Sequence, residues 1–252
     1  MKTSSRYILL SLFLVLLGVP PAFAFKLLPI SREFTPTGTG ATQSYQVVND
    51  SDERLAVEIS MVKRQMDLAG KESYQEADDD FLVYPPQILL EPQKTQTVRV
   101  TWLGDPKPEK ELAYRIVAEQ LPIDLDKPKE NQTKPIGQIK VLLRYLGSVY
   151  IEPANVKPDV VLEAAVPQKG TNAADQLAIT LNNQGSARAI LKSLKLSLTS
   201  AQGTAVTLQP EQLKGMNNEV ILAGNKRQFV IPWPTELAVG PVTAKFEFGV
   251  KQ

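Results

Sequence analysis

The 252-residue sequence contains no histidine and no cysteine. Without them the chain cannot build a Ser-His-Asp or Cys-His nucleophile system, an HExxH metalloprotease site or a Cys/His zinc site. Disulfide bonds are excluded as well, so the fold must depend on its buried core alone.

Carboxylate pairs remain available for acid–base chemistry, but no motif supports such a site. The densest acidic stretch, Glu76-Ala77-Asp78-Asp79-Asp80, lacks the glycine of a calcium-binding loop, and we interpret it as a solvated loop. Gly38-Thr39-Gly40 fits no phosphate-loop pattern and predicts a turn. We therefore predict a protein that is not an enzyme and that uses no cofactor and no metal.

An excess of charge of either sign is also missing, since 28 Lys and Arg stand against 27 Asp and Glu. A nucleic-acid-binding protein typically carries a basic stripe, and we predict no nucleic-acid partner. The one long apolar run, Ile8 to Leu17, follows Lys2 and Arg6 and precedes Ala22-Phe23-Ala24. This pattern predicts a secretory signal peptide over residues 1–24, and an exported mature chain without membrane insertion.

Helical periodicity is scarce, and short runs rich in β-branched and aromatic residues recur between turn signals. The predicted strands are Ser44–Val48, Leu55–Val62, Gln96–Trp102, Ala113–Leu121, Ile139–Ile151, Val160–Ala164, Leu177–Leu181, Ile190–Leu198, Thr204–Leu208, Gln228–Ile231 and Thr243–Val250. Many short strands with Gly, Pro and Asn between them indicate an all-β sandwich architecture. One helical turn is predicted at Pro210–Leu213.

A proline-containing stretch, Glu152 to Pro158, ends the strand before it and predicts a domain boundary. We predict a first domain over residues 25–153 and a second over residues 154–252. A second proline-rich stretch, Pro122 to Pro135, has little apolar content and no periodicity, which predicts a mobile loop.

The strand after that loop carries a long alternating apolar pattern. Ile139, Val141, Leu143 and Tyr145 occupy every second position and therefore lie on one face of the strand. A long apolar strand next to a polar loop is also a site where another chain can pair. The residues alone leave open whether this face packs in its own core or binds another protein.

The sequence resembles the PapD-type periplasmic pilus chaperones. The strongest match runs from Tyr84 to Val100, where a double proline is followed by Leu-Glu-Pro and a strand containing Val98-Arg99-Val100. Phe25–Phe34 looks like the first strand of the family, and Ala113–Pro122 is similar to the strand before the subunit-binding loop. Tyr150-Ile151-Glu152-Pro153 resembles the closing aromatic residue and proline of the strand that binds the subunit.

The resemblance implies two immunoglobulin-like β-sandwich domains in an L-shaped or boomerang arrangement. It also implies a periplasmic chaperone that lends a strand to pilus or fimbrial subunits and delivers them to an outer-membrane usher. The donated side chains would be Ile139, Val141 and Leu143, together with Tyr145. The basic residues expected to anchor the carboxylate at the subunit's C-terminus would be Arg32 and Arg144, of which Arg144 departs from the family position.

A different class of function fits the same composition: a secreted two-domain β-sandwich module for adhesion or carbohydrate binding. Such a module needs an exposed aromatic platform. Aromatic content is 7%, and Trp102 and Trp233 lie in contexts that predict core or interdomain packing. A glycosidase with a carboxylate pair has no supporting motif. The sequence also leaves open whether a second copy of the chain caps the unbound strand as a homodimer.

Overall fold

The computed structural model describes residues 25–123, 125, 141–170 and 172–249. In these ranges the regular structure is β-strand apart from two short 3-10 helices at Thr39–Ala41 and Asp78–Asp80, and the all-β prediction is confirmed. No helix in this part of the chain has the length and hydrophobicity to cross a membrane. The strands are β1 (Phe25–Leu28), β2 (Ser31–Phe34), β3 (Thr42–Asn49), β4 (Leu55–Met66), β5 (Glu72–Glu76), β6 (Phe81–Tyr84), β7 (Gln87–Leu90), β8 (Thr95–Trp102), β9 (Leu112–Gln120), β10 (Arg144–Ile151), β11 (Val160–Lys169), β12 (Asp175–Asn183), β13 (Ala189–Ile190), β14 (Lys192–Ser200), β15 (Ala205–Leu208), β16 (Val220–Ile221), β17 (Lys226–Pro232) and β18 (Val242–Gly249).

Strands β1 to β10 form two sheets around one core. The first has the order β1-β3-β8-β6, and the second has the order β2-β10-β9-β4-β5 with β7 also paired to β4. Alternation decides which side chains enter the core: in β8, Val98 and Val100 are fully buried whereas Arg99 between them is exposed. The two inner faces share one hydrophobic cluster, as expected of a sandwich.

Strands β11 to β18 surround a second, separate core. They form the sheets β11-β12-β17 and β15-β14-β18 and the short pair β13-β16. Leu177, Ile179 and Leu181 alternate inward from β12 and pack with side chains such as Leu196 and Trp233. The segment between the two cores contains no strand at residues 152–159. The predicted domain boundary at 153/154 falls in this segment and stays a prediction.

Hydrogen bonds correct the sequence interpretation at Pro210–Leu213 and at the acidic stretch. Pro210–Leu213 forms turns with the hydrogen bond from Leu213 N–H to Pro210 O and no helix. The acidic stretch is more than a solvated loop, because Asp78 Oδ1 accepts the Met61 N–H at 2.8 Å and Asp80 Oδ2 accepts the Tyr114 hydroxyl at 2.9 Å. These two carboxylates therefore help to hold β4 and β9 to the 3-10 turn between β5 and β6.

The first strand divides between the two sheets. Phe25–Phe34 resembles one strand in the sequence, but β1 pairs antiparallel with β3 in the first sheet and β2 pairs parallel with β10 in the second. Pro29, between the two parts, has no N–H to contribute to a ladder. The chain crosses from one sheet to the other at Pro29 and Ile30.

Candidate functional site

Strand β10 is paired on both edges over only half of its length. Strand β9 pairs with all of it, from Arg144 to Ile151, whereas β2 pairs only with Ser148–Ile151. Within the described ranges, no strand pairs with the other edge of Arg144–Gly147. We call this half of the strand, Arg144–Gly147, the free edge.

The direction of the backbone groups on the free edge follows from two hydrogen bonds. Leu143 O accepts the Gln120 N–H at 2.9 Å, which turns the backbone groups of Leu143 toward β9. Ser148 N–H donates to Ile30 O at 2.8 Å on the opposite edge. Because these groups alternate in an antiparallel ladder, the N–H and C=O of Arg144 and Leu146 point away from β9. They are therefore available to another strand.

The free edge begins where the first strand leaves the sheet. Gly147 permits the close approach at this point: a Cβ atom there would lie 2.7 Å from Ile116 Cγ2, 3.3 Å from Ile30 O and 3.3 Å from Leu27 Cδ2. Beyond Ile30 the chain crosses to the first sheet, so nothing from β2 continues along β10. The split of the first strand thus leaves the edge of Arg144–Gly147 without a partner strand among the residues that the structure describes.

The burial of the side chains decreases from Ile151 toward Val141. Ile151 and Val149 are fully buried, Tyr145 and Leu143 are half-buried and pack against the core, and Val141 is 73% exposed. Leu143 and Tyr145 therefore share a face with the domain's own core. Val141 lies two residues before Leu143 and outside β10, which begins at Arg144 and is shorter than the predicted strand Ile139–Ile151. Ile139 lies outside the described residues.

Further apolar side chains are exposed at the two ends of the free edge. Ile30, whose carbonyl receives the Ser148 N–H, is 52% exposed, and Leu142 is 42% exposed. Ile123, shortly after the end of β9, is 49% exposed. Exposed apolar side chains around an unpaired strand edge are typical of an interaction site.

Arg32 lies at the crossing of the first strand. Its Nη2 donates to Ser44 O of β3 at 3.3 Å, and its Nε is buried with no hydrogen-bond partner in the described part of the chain. The side chain thus points toward the first sheet, on the opposite side of β2 from its neighbour Glu33, which is paired with Arg188. One of the five guanidinium N–H groups of Arg32 therefore donates to the first sheet.

Arg144 lies at the beginning of the free edge and is 51% exposed, with its Nε 3.2 Å from Glu119 Oε2. Arg32 is opposite Val149 in the parallel ladder. About 17 Å of strand therefore separates Arg144 from the position of Arg32. The structure does not bring the two predicted anchor arginines together.

A cluster of ionic groups joins the two sets of sheets, and sequence reasoning did not identify it. Arg188 pairs with Glu33 and Glu111, lies 3.6 Å from a Glu152 oxygen, and stacks over the Tyr150 ring at 3.7 Å from its centroid. Glu33 and Arg188 are 155 residues apart in the chain. No local spacing or motif could have indicated this contact, because it exists only after both cores have formed.

Burial dominates the electrostatics of Glu111. Burial raises the pKa of its carboxyl to about 7, and the charge of Glu152 acts in the same direction, although Arg188 opposes both. A chain of contacts continues from this cluster into the second sheet, since the Tyr150 hydroxyl accepts Arg64 Nη1 at 3.0 Å and Arg64 Nη2 lies 2.6 Å from Glu72. The ionic cluster is therefore connected to the outer face of the sheet that contains β10.

Residues 35–157 match the model of a family described as Pili and flagellar-assembly chaperone, PapD N-terminal domain. No curated protein matches the chain in sequence.

Solved structures of similar fold come from fimbrial assembly systems. The class 5 fimbriae chaperone CfaA is 16% identical with a TM-score of 0.54, over 90% of this chain and 100% of that chain. A chain from a chaperone–tip adhesin complex vital for synergistic activation of CFA/I fimbriae biogenesis is 16% identical with a TM-score of 0.55, over 89% and 98%. A chain from the CsuC–CsuE chaperone–tip adhesion subunit pre-assembly complex of archaic chaperone–usher Csu pili, from Acinetobacter baumannii, is 16% identical with a TM-score of 0.56, over 84% and 89%. At this identity they show the fold, which confirms the two-domain immunoglobulin-like architecture.

Proposed function

Since residues 35–157 belong to the PapD N-terminal domain family of pili and flagellar-assembly chaperones, we propose that this protein binds pilus subunits by donating the free edge at the start of β10 together with the residues that precede it. A subunit that lacks one strand of its own sandwich exposes an apolar groove. The chaperone strand fills this groove with alternate side chains while its backbone completes the sheet, a known mode of peptide recognition. The family is a class of non-catalytic chaperones, which agrees with the absence of a catalytic motif.

The free edge is the observation that carries this proposal. Arg144 and Leu146 present outward-pointing backbone groups, and within the described ranges no strand pairs with them. Val141, which precedes β10, is 73% exposed. Backbone groups give strand pairing, and the alternate side chains select the groove.

In this proposal the donated face comprises Ile139, Val141 and Leu143, and Tyr145 lies at its inner end; alternate residues of an extended strand are about 7 Å apart. Each large aliphatic side chain that becomes buried contributes on the order of 1.5–3 kcal/mol to binding before the cost of ordering is subtracted.

The predicted anchor residues enter the proposal as two separate contacts, because they lie far apart along the strand. Arg32 is half-buried, and its guanidinium would bind an acceptor such as the subunit's terminal carboxylate, which an arginine is well suited to bind. Arg144 contributes at the other end of the free edge.

The cellular setting follows from the same proposal. The leader predicted over residues 1–24 would direct the chain to the periplasm, where pilus chaperones act. The outer-membrane usher is the expected recipient of the chaperone–subunit complex. The alternative as a carbohydrate-binding module loses its main support, since Trp102 and Trp233 are 5% and 7% exposed and offer no platform.

The proposal is tested by the substitution Val141→Glu. The tagged chaperone is purified from the periplasm of its own host, and co-purified pilin-like subunit is quantified by mass spectrometry. We expect Val141→Glu to lose at least about ten-fold in captured subunit, because a carboxylate would be buried unpaired in an apolar groove. Its thermal midpoint should stay close to that of the unsubstituted protein, because Val141 is exposed.

Val239→Glu is the matched control, since Val239 is a 52% exposed valine in a loop of the second domain. It should capture subunit normally. Equal capture by Val141→Glu and Val239→Glu, in a system where the unsubstituted protein captures subunit, would refute strand donation at this edge. Failure of the unsubstituted protein to capture any subunit would refute the function itself.

A further inference from the structure

Phe25, the first residue of β1, contacts the free edge from the other sheet. Its ring meets the ring of Tyr145 edge to face, with centroids 4.9 Å apart and an interplanar angle of 69°. Phe25 is 1% exposed and Tyr145 is half-buried. From Tyr145 toward Val141 the exposure of the side chains increases. This contact joins the two sheets at the point where the free edge begins to leave the core.

Strand β1 is itself firmly attached to the first sheet. Phe25 is opposite Asn49 and Leu27 is opposite Val47 in the ladder with β3, and Lys26 forms an ion pair with Asp50. Leu27, 2% exposed, also packs at Gly147, where its Cδ2 would lie 3.3 Å from an added Cβ. Two successive inward side chains of β1 thus press on two successive inward positions of β10.

We infer that Phe25 and Tyr145 form a brace that holds the free edge extended before a subunit arrives and that fixes where the donated segment ends. This inference rests on the proposed function and sharpens it: Leu143 and Val141 are lent to the subunit, whereas Tyr145 stays with the chaperone. Phe25 and Tyr145 are positioning residues in this arrangement.

The physical reason is the cost of ordering a strand that is paired on one side only. Among the described strands only β9 pairs with Arg144–Gly147, and the bond from Gln120 N–H to Leu143 O continues this ladder by one residue. Without the brace, this end of the ladder would open more often, and the subunit would have to order the strand on binding. With it, that ordering is already complete in the free protein.

The brace is tested in the free protein by amide hydrogen exchange of Phe25→Ala. We expect the exchange rate of the Gln120 amide to rise roughly two- to ten-fold beyond what the loss of global stability explains, as removal of an aromatic pair implies. Phe25→Leu, which keeps an apolar side chain but not the ring contact, should give a smaller rise and guards against a failure of the alanine variant to fold.

Phe34→Ala is the matched control. Phe34 is also 1% exposed and also forms an edge-to-face pair, with Phe81 at 6.2 Å, but it lies opposite Ile151 at the other end of β10. It should lower the thermal midpoint without selectively raising exchange at Gln120. If both alanine variants change Gln120 exchange equally at matched stability, the brace is refuted.

Subunit capture provides the functional arm. Tyr145→Phe should capture pilin-like subunits normally, since the ring contact remains, whereas Tyr145→Ala should capture less and show faster Gln120 exchange. Normal capture by Tyr145→Ala together with unchanged exchange would overturn the positioning role. Because the exchange arm needs no subunit, a failure of the proposed function is distinguishable from a failure of the brace.

Discussion

The two halves of β10 have the same alternating pattern but different surroundings. In Ser148–Ile151 the strand is paired with β9 on one edge and β2 on the other, and Val149 and Ile151 are fully buried. In Arg144–Gly147 it is paired with β9 alone within the described ranges, and the side chains on the core face become progressively exposed toward Val141. One half closes the domain, and the other half is open to a partner.

The two halves of β10 differ in which strand lies beside them, and not in their sequence pattern. The first strand covers β10 only from Ser148 onward, because it crosses to the other sheet at Pro29 and Ile30. Apolar alternation therefore indicates a strand whose side chains are suited to burial. Whether the domain covers the whole strand depends on the path of a distant segment, here the first strand.

The largest effect on folding is expected in the paired half, with Ile151→Ala. This change leaves a cavity in the core, and we expect the free energy of unfolding to fall by about 2–5 kcal/mol. Val141→Ala, at the exposed residue that precedes the open half, should change it by less than about 0.5 kcal/mol. Denaturant unfolding of both variants measures the difference. Similar losses for the two would show that Val141 is already buried in the free protein and would break the comparison.

An intermediate effect on stability is expected at the ionic cluster. It contacts the C-terminal end of the paired half, where Tyr150 and Glu152 lie next to Arg188. Because burial raises the pKa of Glu111 to about 7, the stability associated with its protonated form is complete below about pH 4.5 and is lost as pH rises through 7. We expect Glu111→Gln to remove this part of the pH dependence, measured as the difference in thermal midpoint between pH 5 and pH 8.

Glu163→Gln is the control for this experiment, since Glu163 forms an exposed ion pair with Lys226. Its midpoint should follow that of the unsubstituted protein at both pH values. A Glu111→Gln variant with the same pH profile as this control would show that the buried carboxyl does not titrate in this window.

The smallest effect on folding is expected from Leu146→Pro in the open half. Its N–H points away from β9, so a proline at this position removes no bond of the existing ladder, and edge positions tolerate proline. Tyr145→Pro, one residue earlier, removes an N–H that faces β9 and should cost about 1–3 kcal/mol. We expect Leu146→Pro to stay folded yet capture less subunit, since it loses an outward donor. Thermal midpoints of the pair, together with capture, check this, and equal destabilisation would contradict the assigned backbone directions.

Much of the fold could be predicted from local pattern. The alternation in Gln96–Trp102 and Leu177–Leu181 identified strands that the structure contains. In a strand with one buried face, every second residue is apolar, so the sequence shows the period of two. Strand β5 was not predicted, because Glu72–Glu76 shows no apolar alternation. It is held in place by pairing with β4, which a sequence pattern does not indicate.

The candidate site was predictable only in part. The pattern at Val141 to Tyr145 located the strand. It did not indicate that Leu143 and Tyr145 pack against the domain's own core. Arg32 was recognised as a basic residue of the first strand, yet its orientation toward Ser44 depends on the crossing at Pro29. Arg188 was not recognised, because its partners Glu33, Glu111 and Glu152 come from three distant segments.

The division of the first strand also sets a length. Because outward-pointing groups recur every second residue, moving the crossing two residues toward the N-terminus would cover one more outward-pointing position of β10, about 7 Å of edge. Moving it the other way would release the same amount. The place where β2 gives way to β1 thus sets how much of the β10 edge the first strand leaves unpaired, and this length can change without altering a residue of β10.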